Sequence, residues 1–261
     1  MTTATIRNLS EYINVVEQNC GQDICLFRGQ TQPWPLLPKI ARLNPRNDVT
    51  RDERSMIDDF RRHVGDFVVR SPENDWDLLS LAQHHGMATR LLDWTTNALA
   101  ALWFAVEKPA ESKSPGTVYY VPLDDDDMVS DRTKSPFEAK KTLFFAPNVV
   151  TTRIRSQGAF FSAHRISSRG EWIPLEKNRQ FRDRIDRVHV PAEAFSDIRS
   201  SLSQCGVNRA TLFPDLDGLC SFLTWNNFLF SDEGEPARQP RRRNPAGPSD
   251  DTRIKEVAKK R

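Results

Sequence analysis

The sequence predicts an α+β fold made of mixed, mainly antiparallel small sheets with flanking helices. Several segments place apolar residues three or four positions apart, which is the spacing of an amphipathic helix. Other segments are short runs of β-branched and aromatic residues, such as 116–123, and these favour strands. At 261 residues the chain can bury enough surface to fold as one domain without cross-links.

Helices are predicted throughout the chain. The predicted helices cover residues 6–19, 50–70, 75–86, 97–109 and 191–206, with a closing helix before Phe230. Ser10 could cap the first of them, and Asp75 or a neighbour caps the third, which Gly86 ends.

Strands are predicted at 23–30, 116–123, 140–147, 158–164 and 183–191, with a short strand at the start of 209–230. The first run, DICLFRGQ, ends in Arg-Gly, which fits a buried strand followed by a turn. For the segment after Arg90 two alternatives are open. A strand would place Arg90 and Asp93 on opposite sides, whereas a turn into a helix at Asn97 would let them bond to each other.

The composition changes abruptly after Phe230. Residues 231–261 have almost no large apolar side chain, so we predict a disordered tail there and a folded domain over residues 1–230. Between 238 and 261, nine Lys and Arg stand against three Asp and Glu. This part therefore carries +6 and the rest −4, for a net charge of +2. The basic clusters could bind nucleic acid or an acidic partner, and a plain solubilising tail is the alternative.

The composition also argues against several classes of protein. None of the four cysteines forms a C-x-x-C pair, and no histidine is placed to complete a zinc site, so no metal is predicted. The N-terminus lacks the apolar stretch of a secretory leader, and no run approaches the roughly 20 residues of a membrane span. We therefore expect a cytoplasmic protein with reduced thiols and no membrane contact. Phosphate-binding-loop, dinucleotide-binding, nucleophile-elbow and zinc-protease motifs are absent.

The stretch LAQHHGMATRLLDWT at 81–95 holds the densest group of candidate site residues. His84 and His85 fall in the last turn of a predicted helix, and adjacent helical residues point about 100° apart, so at most one can face the interior. Either ring could act as a base or proton donor. The plain alternative is that the helix dipole stabilises a cationic ring at this end of the helix. Arg90 must be paired if it is buried, and an Arg90–Asp93 ion pair that only supports the fold is the plain alternative.

Two further segments carry polar residues beside apolar strands. Arg28 offers a fixed fork of donors for a phosphate or carboxylate, and Gly29 would let a ligand or another backbone come close. Arg153, Arg155 and Gln157 form a polar group just ahead of an aromatic strand. None of these signals is specific by itself.

Together these segments resemble one family. FRGQ at 27–30, LAQHHGMATRLLDWTTNALAALWFAV at 81–106 and RATLFPDLDGL at 209–219 are similar, in order and spacing, to the FRG domain family. RIRSQGAFF at 153–161 resembles the family's Arg-x-x-x-Gln-x-Gly-x-Phe segment. This bacterial and phage-associated family is named for its Phe-Arg-Gly signature. The resemblance extends over about residues 5–230.

A remoter similarity, to arginine-type ADP-ribosyltransferases, implies a fold of that type and an activity. An apolar strand ending in aromatic-Arg-Gly looks like the first motif of those enzymes, so the resemblance implies that Arg28 holds the phosphates or ribose of NAD. Residues 89–95 stand for the second motif, and Gln157 takes a third-motif position where a glutamate is usual. A glutamine cannot neutralise positive charge, so a carboxylate such as Asp93 would have to stabilise the cation that develops as the nicotinamide bond breaks.

The resemblance thus implies a toxin or phage-defence effector that transfers ADP-ribose from NAD to a macromolecule. RNA or DNA is the expected acceptor, and an antitoxin protein is an expected partner. The implied catalytic residues are Arg28, His84, His85, Arg90, Asp93 and Gln157, and the implied NAD-binding residues are Arg28, Gly29, Thr89, Arg90, Trp94 and Thr95. In these roles Arg28 and Arg90 neutralise the diphosphate and Trp94 stacks on a planar ring.

Three alternatives stay open from the sequence. One is a nucleotide- or phosphate-binding regulatory module without catalysis. Another is a metal-independent nuclease or hydrolase that uses His84 or His85. The third is a buried ion-pair network that only supports the fold.

Overall fold

The structure is a computed structural model. It describes residues 3–21, 24–43, 49–68, 70–111, 113–148, 156–167, 170–228 and 230–233. Arg153, Arg155 and all of the predicted tail beyond residue 233 lie outside these ranges.

Helices and strands follow each other along the chain in irregular order. The helices are α1 (Leu9–Asn19), α2 (Lys39–Arg42), α3 (Thr50–Val64), α4 (Asp75–His84), α5 (Ala98–Val106), α6 (Phe195–Gln204), α7 (Arg209–Leu212) and α8 (Leu216–Asn227). The strands are β1 (Thr3–Thr5), β2 (Cys25–Gln30), β3 (Leu91–Thr95), β4 (Gly116–Pro122), β5 (Leu143–Phe145), β6 (Ala159–Ala163) and β7 (Asp186–Val190). Short 3₁₀ helices lie at Asp125–Asp127, Pro136–Glu138, Leu175–Lys177 and Ala192–Ala194.

The described strands form one seven-stranded mixed sheet in the order β1-β7-β4-β2-β3-β6-β5. Only the β1–β7 pair is parallel among the described pairs, and all others are antiparallel. The predicted α+β class is therefore confirmed, with one larger sheet in place of several small ones. Strand β1 has no counterpart in the sequence prediction because three residues are too few to show an alternating pattern.

The sheet is split between its two central strands. Strand β2 pairs with β4 over its whole length, from Cys25 to Gln30, and β3 pairs with β6 over all five of its residues. In contrast, β2 and β3 meet only at the pair Phe27 and Thr95. The sheet therefore consists of two halves that are joined at a single residue pair.

Apolar residues on both faces of the sheet are covered. Helix α5 lies on β2 and β4, where Phe27 and Val118 belong to a core that α6 completes. On the opposite face Leu26, Leu92 and Trp94 pack with residues of β4 and β5. Helices α3 and α4 cover the outer half of the sheet, formed by β3, β5 and β6. The split between β2 and β3 therefore lies between well-packed regions.

Two local predictions were wrong. The cap of α1 is Asn8 and not Ser10, because the Asn8 side chain accepts a hydrogen bond from the backbone N–H of Glu11. Residues 209–212 form the short helix α7 and not a strand. The Asn208 side chain accepts hydrogen bonds from the first backbone N–H groups of α7, and this capping favours a helical turn over an extended segment.

The cysteines also differ from the expectation of four reduced thiols. Cys20 at the end of α1 and Cys25 at the start of β2 form a disulfide, with their Cα atoms 5.8 Å apart. The fold brings the two ends of this short connection together, which a separation of five residues in the sequence does not indicate. Cys205 and Cys220 are free and exposed. No helix within the described ranges is long and apolar enough to cross a bilayer.

Candidate functional site

A cavity of about 420 Å³ lies at the split in the sheet. Strands β2, β3 and β6, the end of α4 and one ring of α5 form its walls. Of the residues predicted for the site, the cavity is lined by Arg28, Gly29, His84, Asp93, Trp94 and Thr95. The strand arginine and the 81–95 stretch, which are far apart in the sequence, therefore meet at one opening. We refer to it as the Arg28–Asp93 cavity.

The guanidinium of Arg28 lies across the split. Its Nη1 donates a hydrogen bond to the backbone carbonyl oxygen of Asp93 at 2.7 Å, and its Nε donates to Gln30 at 3.3 Å. The Arg28 side chain is only 15% exposed. Desolvation lowers the pKa of Arg28, the charge of Arg42 lowers it further, and the carboxylate of Asp93 opposes the shift. Burial disfavours the charged form of Arg28. An anion that enters the cavity would offset this cost, because it would pair with a cation that is already held in position.

Asp93 supplies the opposite charge at the same point. Its Oδ2 lies 3.7 Å from Nη1 of Arg28, and its side chain is 57% exposed, so the carboxylate is open to the cavity and to solvent. The predicted Arg90–Asp93 ion pair is absent from the described ion pairs. Asp93 pairs instead with Arg28, and Arg90, one residue before β3, pairs with Glu53.

Gln83 of α4 orients the Asp93 carboxylate. The buried hydroxyl of Thr89 donates to Oε1 of Gln83 at 2.8 Å and accepts from the backbone N–H of Leu91 at 3.1 Å. Since Thr89 fixes Oε1 as the acceptor end of the amide, Nε2 of Gln83 is left to donate to Oδ2 of Asp93 at 3.2 Å. The sequence prediction placed Thr89 on the ligand. The structure places it behind Gln83, which was not predicted.

The two adjacent histidines point in different directions, and only one of them lines the cavity. The ring of His84, in the last turn of α4, lines the cavity, whereas His85 is exposed just past the helix end. Their rings stand edge to face with centroids 5.1 Å apart. Gly86, with φ of +88°, ends the helix as predicted. His84 is therefore the histidine that can reach a ligand in the cavity.

Arg90 is not part of the cavity wall. It is buried with Glu53 of α3, to which its Nε donates at 2.9 Å and its backbone N–H at 2.7 Å. Its guanidinium also lies 4.5 Å from the ring centre of Phe137. The requirement that a buried Arg90 be paired is met, but by a residue 37 positions away. The structure places Arg90 in an interior ion pair and not beside Arg28.

Gln157 does not line the cavity. The amide Nε2 donates to the carbonyl oxygen of Leu212 at 3.0 Å, and the Gln157 carbonyl accepts from the hydroxyl of Thr95. The Thr95 hydroxyl also accepts from the backbone N–H of Asn97 at 2.9 Å. Thr95 thus joins β3, the start of α5 and the segment before β6.

Gly29 and Trp94 line the cavity but are also fixed by packing. A Cβ atom on Gly29 would lie 1.8 Å from the carbonyl oxygen of Ala101, so the close backbone that this glycine admits is that of α5. The ring of Trp94 packs edge to face on Phe144 at a centroid distance of 5.7 Å. Rings of Phe27, Phe104 and Phe161 supply the remaining aromatic wall.

A buried polar chain lies behind Trp94. Its indole N–H donates to Oγ of Ser162 at 2.9 Å, and Ser162 lies 3.0 Å from Nε2 of His164. The direction of the hydrogen bond between Ser162 and His164 depends on the tautomer of the ring, because the serine oxygen can accept a second hydrogen bond beside that of Trp94. Desolvation, with the charges of Arg28 and Arg90, lowers the pKa of His164 to about 3. Full burial of Ser162 excludes this Ser-His pair as a nucleophile, so it supports the wall.

Sequence reasoning missed Glu53, Gln83, Ser162 and His164. Gln83 lies inside the stretch 81–95 and could have been found from it. The other three lie outside every recognised motif, and only the tertiary packing brings them to Arg90 and Trp94.

Comparison with known proteins supports one part of the resemblance. The FRG domain family model matches residues 23–114. This range includes Arg28 and the whole of 81–95 but ends before Gln157, so the FRG domain beyond residue 114 stays a prediction. No curated protein and no solved structure matches the chain significantly.

Proposed function

We propose that this chain, whose residues 23–114 match the FRG domain family model, is an ADP-ribosyltransferase that takes NAD as its substrate at the Arg28–Asp93 cavity. The observation that carries the proposal is the meeting of Arg28 and Asp93 at the split between β2 and β3. A buried cation and an exposed carboxylate on one cavity wall can serve a ligand that is anionic at one end and becomes cationic at its reacting centre.

The roles of the two side chains follow from their charges. Arg28 binds the diphosphate of NAD, since a guanidinium offers several donors in a fixed plane. When the bond from ribose to nicotinamide breaks, nicotinamide leaves with the bonding electrons and the ribose carbon becomes cationic. In this proposal Asp93 supplies the carboxylate that stabilises that charge, in the role that a glutamate has in the enzymes that the sequence resembles; its exposed side chain beside Arg28 supports this.

The acceptor completes the reaction. A nucleophilic group of the acceptor bonds to the ribose carbon and loses a proton, which the ring of His84 can take up. Planar stacking falls to Phe104, because the lining rings of Phe27, Trp94 and Phe161 are buried.

We propose nucleic acid as the acceptor class and an effector role of the toxin or phage-defence type, with an antitoxin as a partner. The charge of +6 over residues 238–261 supports an RNA or DNA acceptor. If the effector role holds, expression of the chain arrests growth, and Arg28→Ala relieves the arrest at equal protein level.

The decisive experiment supplies NAD labelled in its ADP-ribose part together with RNA, DNA or lysate protein. We expect the label to enter one class of macromolecule while nicotinamide is released in equal amount, and Arg28→Ala to abolish both. Absence of transfer and of nicotinamide release overturns the proposal, as does an Arg28→Ala variant that behaves as the parent protein does.

The adjacent histidines provide a matched pair of variants. We expect His84→Ala to lower the transfer rate at least about tenfold, in line with the loss of a proton-transfer group. We expect His85→Ala to leave the rate unchanged, since His85 is exposed outside the cavity. Equal losses in both variants would remove His84 from the mechanism.

A nucleotide-binding module without turnover is the second candidate. The observation that favours it is that the Gln157 amide is bonded to Leu212 and does not face the cavity. Calorimetry distinguishes the two functions. A module binds NAD or another nucleotide in an Arg28-dependent manner and releases no nicotinamide. Cleavage of RNA or DNA without NAD, dependent on His84, would instead identify a nuclease.

A further inference from the structure

A second cavity, of about 480 Å³, lies between α8 and the rest of the protein. The end of α5, helices α6 and α7, and α8 form its walls. It shares no lining residue with the Arg28–Asp93 cavity. Its volume falls in the usual range for small-molecule sites.

Helix α8 is fixed at both of its ends, which keeps this cavity open. At its start, Gly218 is buried so closely against Phe213 that a Cβ atom would lie 1.9 Å from the Phe213 carbonyl oxygen. Beyond its end, the buried guanidinium of Arg199 pairs with Asp232 and Glu233. Glu233 also accepts from the indole N–H of Trp225 at 2.9 Å. The middle of α8 therefore spans the cavity and does not collapse onto α5.

The cavity wall is largely aromatic. Trp103 of α5, Phe222 and Trp225 of α8, and Phe228 and Phe230 after α8 all line it. The rings of Phe222 and Trp225 are 6.0 Å apart at their centroids and inclined at 47°. Such surfaces favour a flat ring, which can take offset or edge-to-face positions against several of them.

Arg209 of α7 provides a cation at the same wall. Its guanidinium lies over the ring of Phe213 and has one hydrogen bond within the described part of the chain, from Nη1 to Glu107 at the long distance of 3.4 Å. Its Nε is buried and has no partner among the described residues. The side chain is still 38% exposed. Arg209 thus keeps unused donor capacity in a place that a small molecule can reach.

Glu107 contributes a carboxyl group to the same end of the cavity. Desolvation raises the pKa of its carboxyl, which Lys108 and Arg209 partly oppose. With Lys108 and Arg209 against Glu107, the charges at this end of the cavity favour an anion, and an anion on Arg209 would compete with the weak Glu107 contact.

We propose that this second cavity binds a small aromatic anion, with its ring among the aromatic side chains of α5 and α8 and its anionic group on the guanidinium of Arg209. The site is separate from the proposed NAD site and does not depend on it. Carboxylate, sulfonate and phosphate groups share the chemistry that Arg209 recognises, and the ring is held by stacking and edge contacts.

Calorimetry of the full chain with two matched probes tests the proposal. Indole-3-acetate carries the anion, and indole-3-acetamide has the same ring and shape without the charge. We expect the acetate to bind about tenfold tighter, the factor typical of a charge-assisted hydrogen bond. Phe222→Ala should weaken both probes, whereas Arg209→Met should abolish the preference and keep the amide affinity.

Glu107→Gln is a second test of the site, which remains informative if Arg209→Met fails to fold. It removes the competing carboxylate and should tighten acetate binding several-fold without deleting any part of the guanidinium. Arg28→Ala, in the other cavity, should change neither affinity. Absence of binding at millimolar acetate, equal affinities of the two probes, or a preference that survives Arg209→Met would overturn the proposal.

Discussion

The guanidinium of Arg28 donates a hydrogen bond to the carbonyl oxygen of Asp93 across the gap between two neighbouring strands. In a continuous antiparallel ladder that oxygen would accept from a backbone N–H of β2. The side chain of Arg28 therefore stands in for a missing ladder bond and links the two halves of the sheet across the gap. The same contact supports the local fold and brings a cation to the edge of a cavity.

We predict that the orientation of Asp93 depends on the hydroxyl of Thr89. Thr89→Val removes the donor that holds Oε1 of Gln83, so the side chain whose Nε2 donates to Asp93 is no longer fixed in position. Under the proposed function, the ADP-ribosyl transfer rate should fall about tenfold with little change in NAD affinity. Steady-state and binding measurements on the same preparations check this.

Thr89→Ser is the matched control because it keeps the hydroxyl, and it should retain the parent rate.

Asp93→Asn, which keeps the shape but removes the charge, should lower transfer by roughly 100-fold or more, the usual loss for one preorganised electrostatic group. Full activity in Asp93→Asn would exclude the carboxylate from the reaction.

Gly29→Ala is expected to destabilise the protein by about 3 kcal/mol or more, because its methyl group would overlap the backbone of α5 at Ala101. Urea unfolding measures the change. Gly65→Ala is the control, since nothing lies within 4 Å of a Cβ there and its backbone is already right-handed helical. A small effect at Gly29 would contradict the close approach of α5 to β2.

We predict that the free energy of unfolding depends strongly on the buried ion pair between Arg90 and Glu53. Glu53→Gln leaves the buried guanidinium without its counter-charge, so we expect the free energy of unfolding to fall by about 3–5 kcal/mol. Asp59→Asn, at the exposed Asp59–Arg62 pair of the same helix, should leave it nearly unchanged. Equal effects of the two variants would contradict the burial of Arg90.

Buried His164 predicts a loss of stability in acid. Its pKa of about 3 lies below the ordinary value of 6.5, so the unfolded chain binds the proton more readily than the folded one. Its contribution is fully present above pH 6.5 and is lost as the pH falls toward 3, by about 2 kcal/mol at pH 5. The pH dependence of unfolding should be shallower in His164→Gln between pH 7.5 and 5. Identical slopes would rule out a buried neutral ring.

Much of the fold could be predicted from local patterns, because the long helices and the longer strands carry clear periodicity. Strand β2 and helices α4 and α5 lie where their sequences place them, and Arg28 comes to the cavity through them. The partner of Arg90 could not be predicted in the same way. Glu53 lies on the polar-rich helix α3, and its burial depends on how α3 packs against α4 and the sheet.

The same limit applies to the site. Spacing alone predicts that at most one of His84 and His85 faces inward, since helix geometry separates them. It does not show that Thr89 acts through Gln83, because that depends on where the end of α4 meets β3.

The ion pairs of Arg199 with Asp232 and Glu233 also bear on where the chain can be shortened. A protein truncated after Phe230 would keep the interior guanidinium but lose both carboxylates, and an isolated interior cation costs several kcal/mol. Such a truncation would therefore unfold more easily than one that ends after Glu233. Engineered versions that remove the C-terminal region should retain residues 231–233.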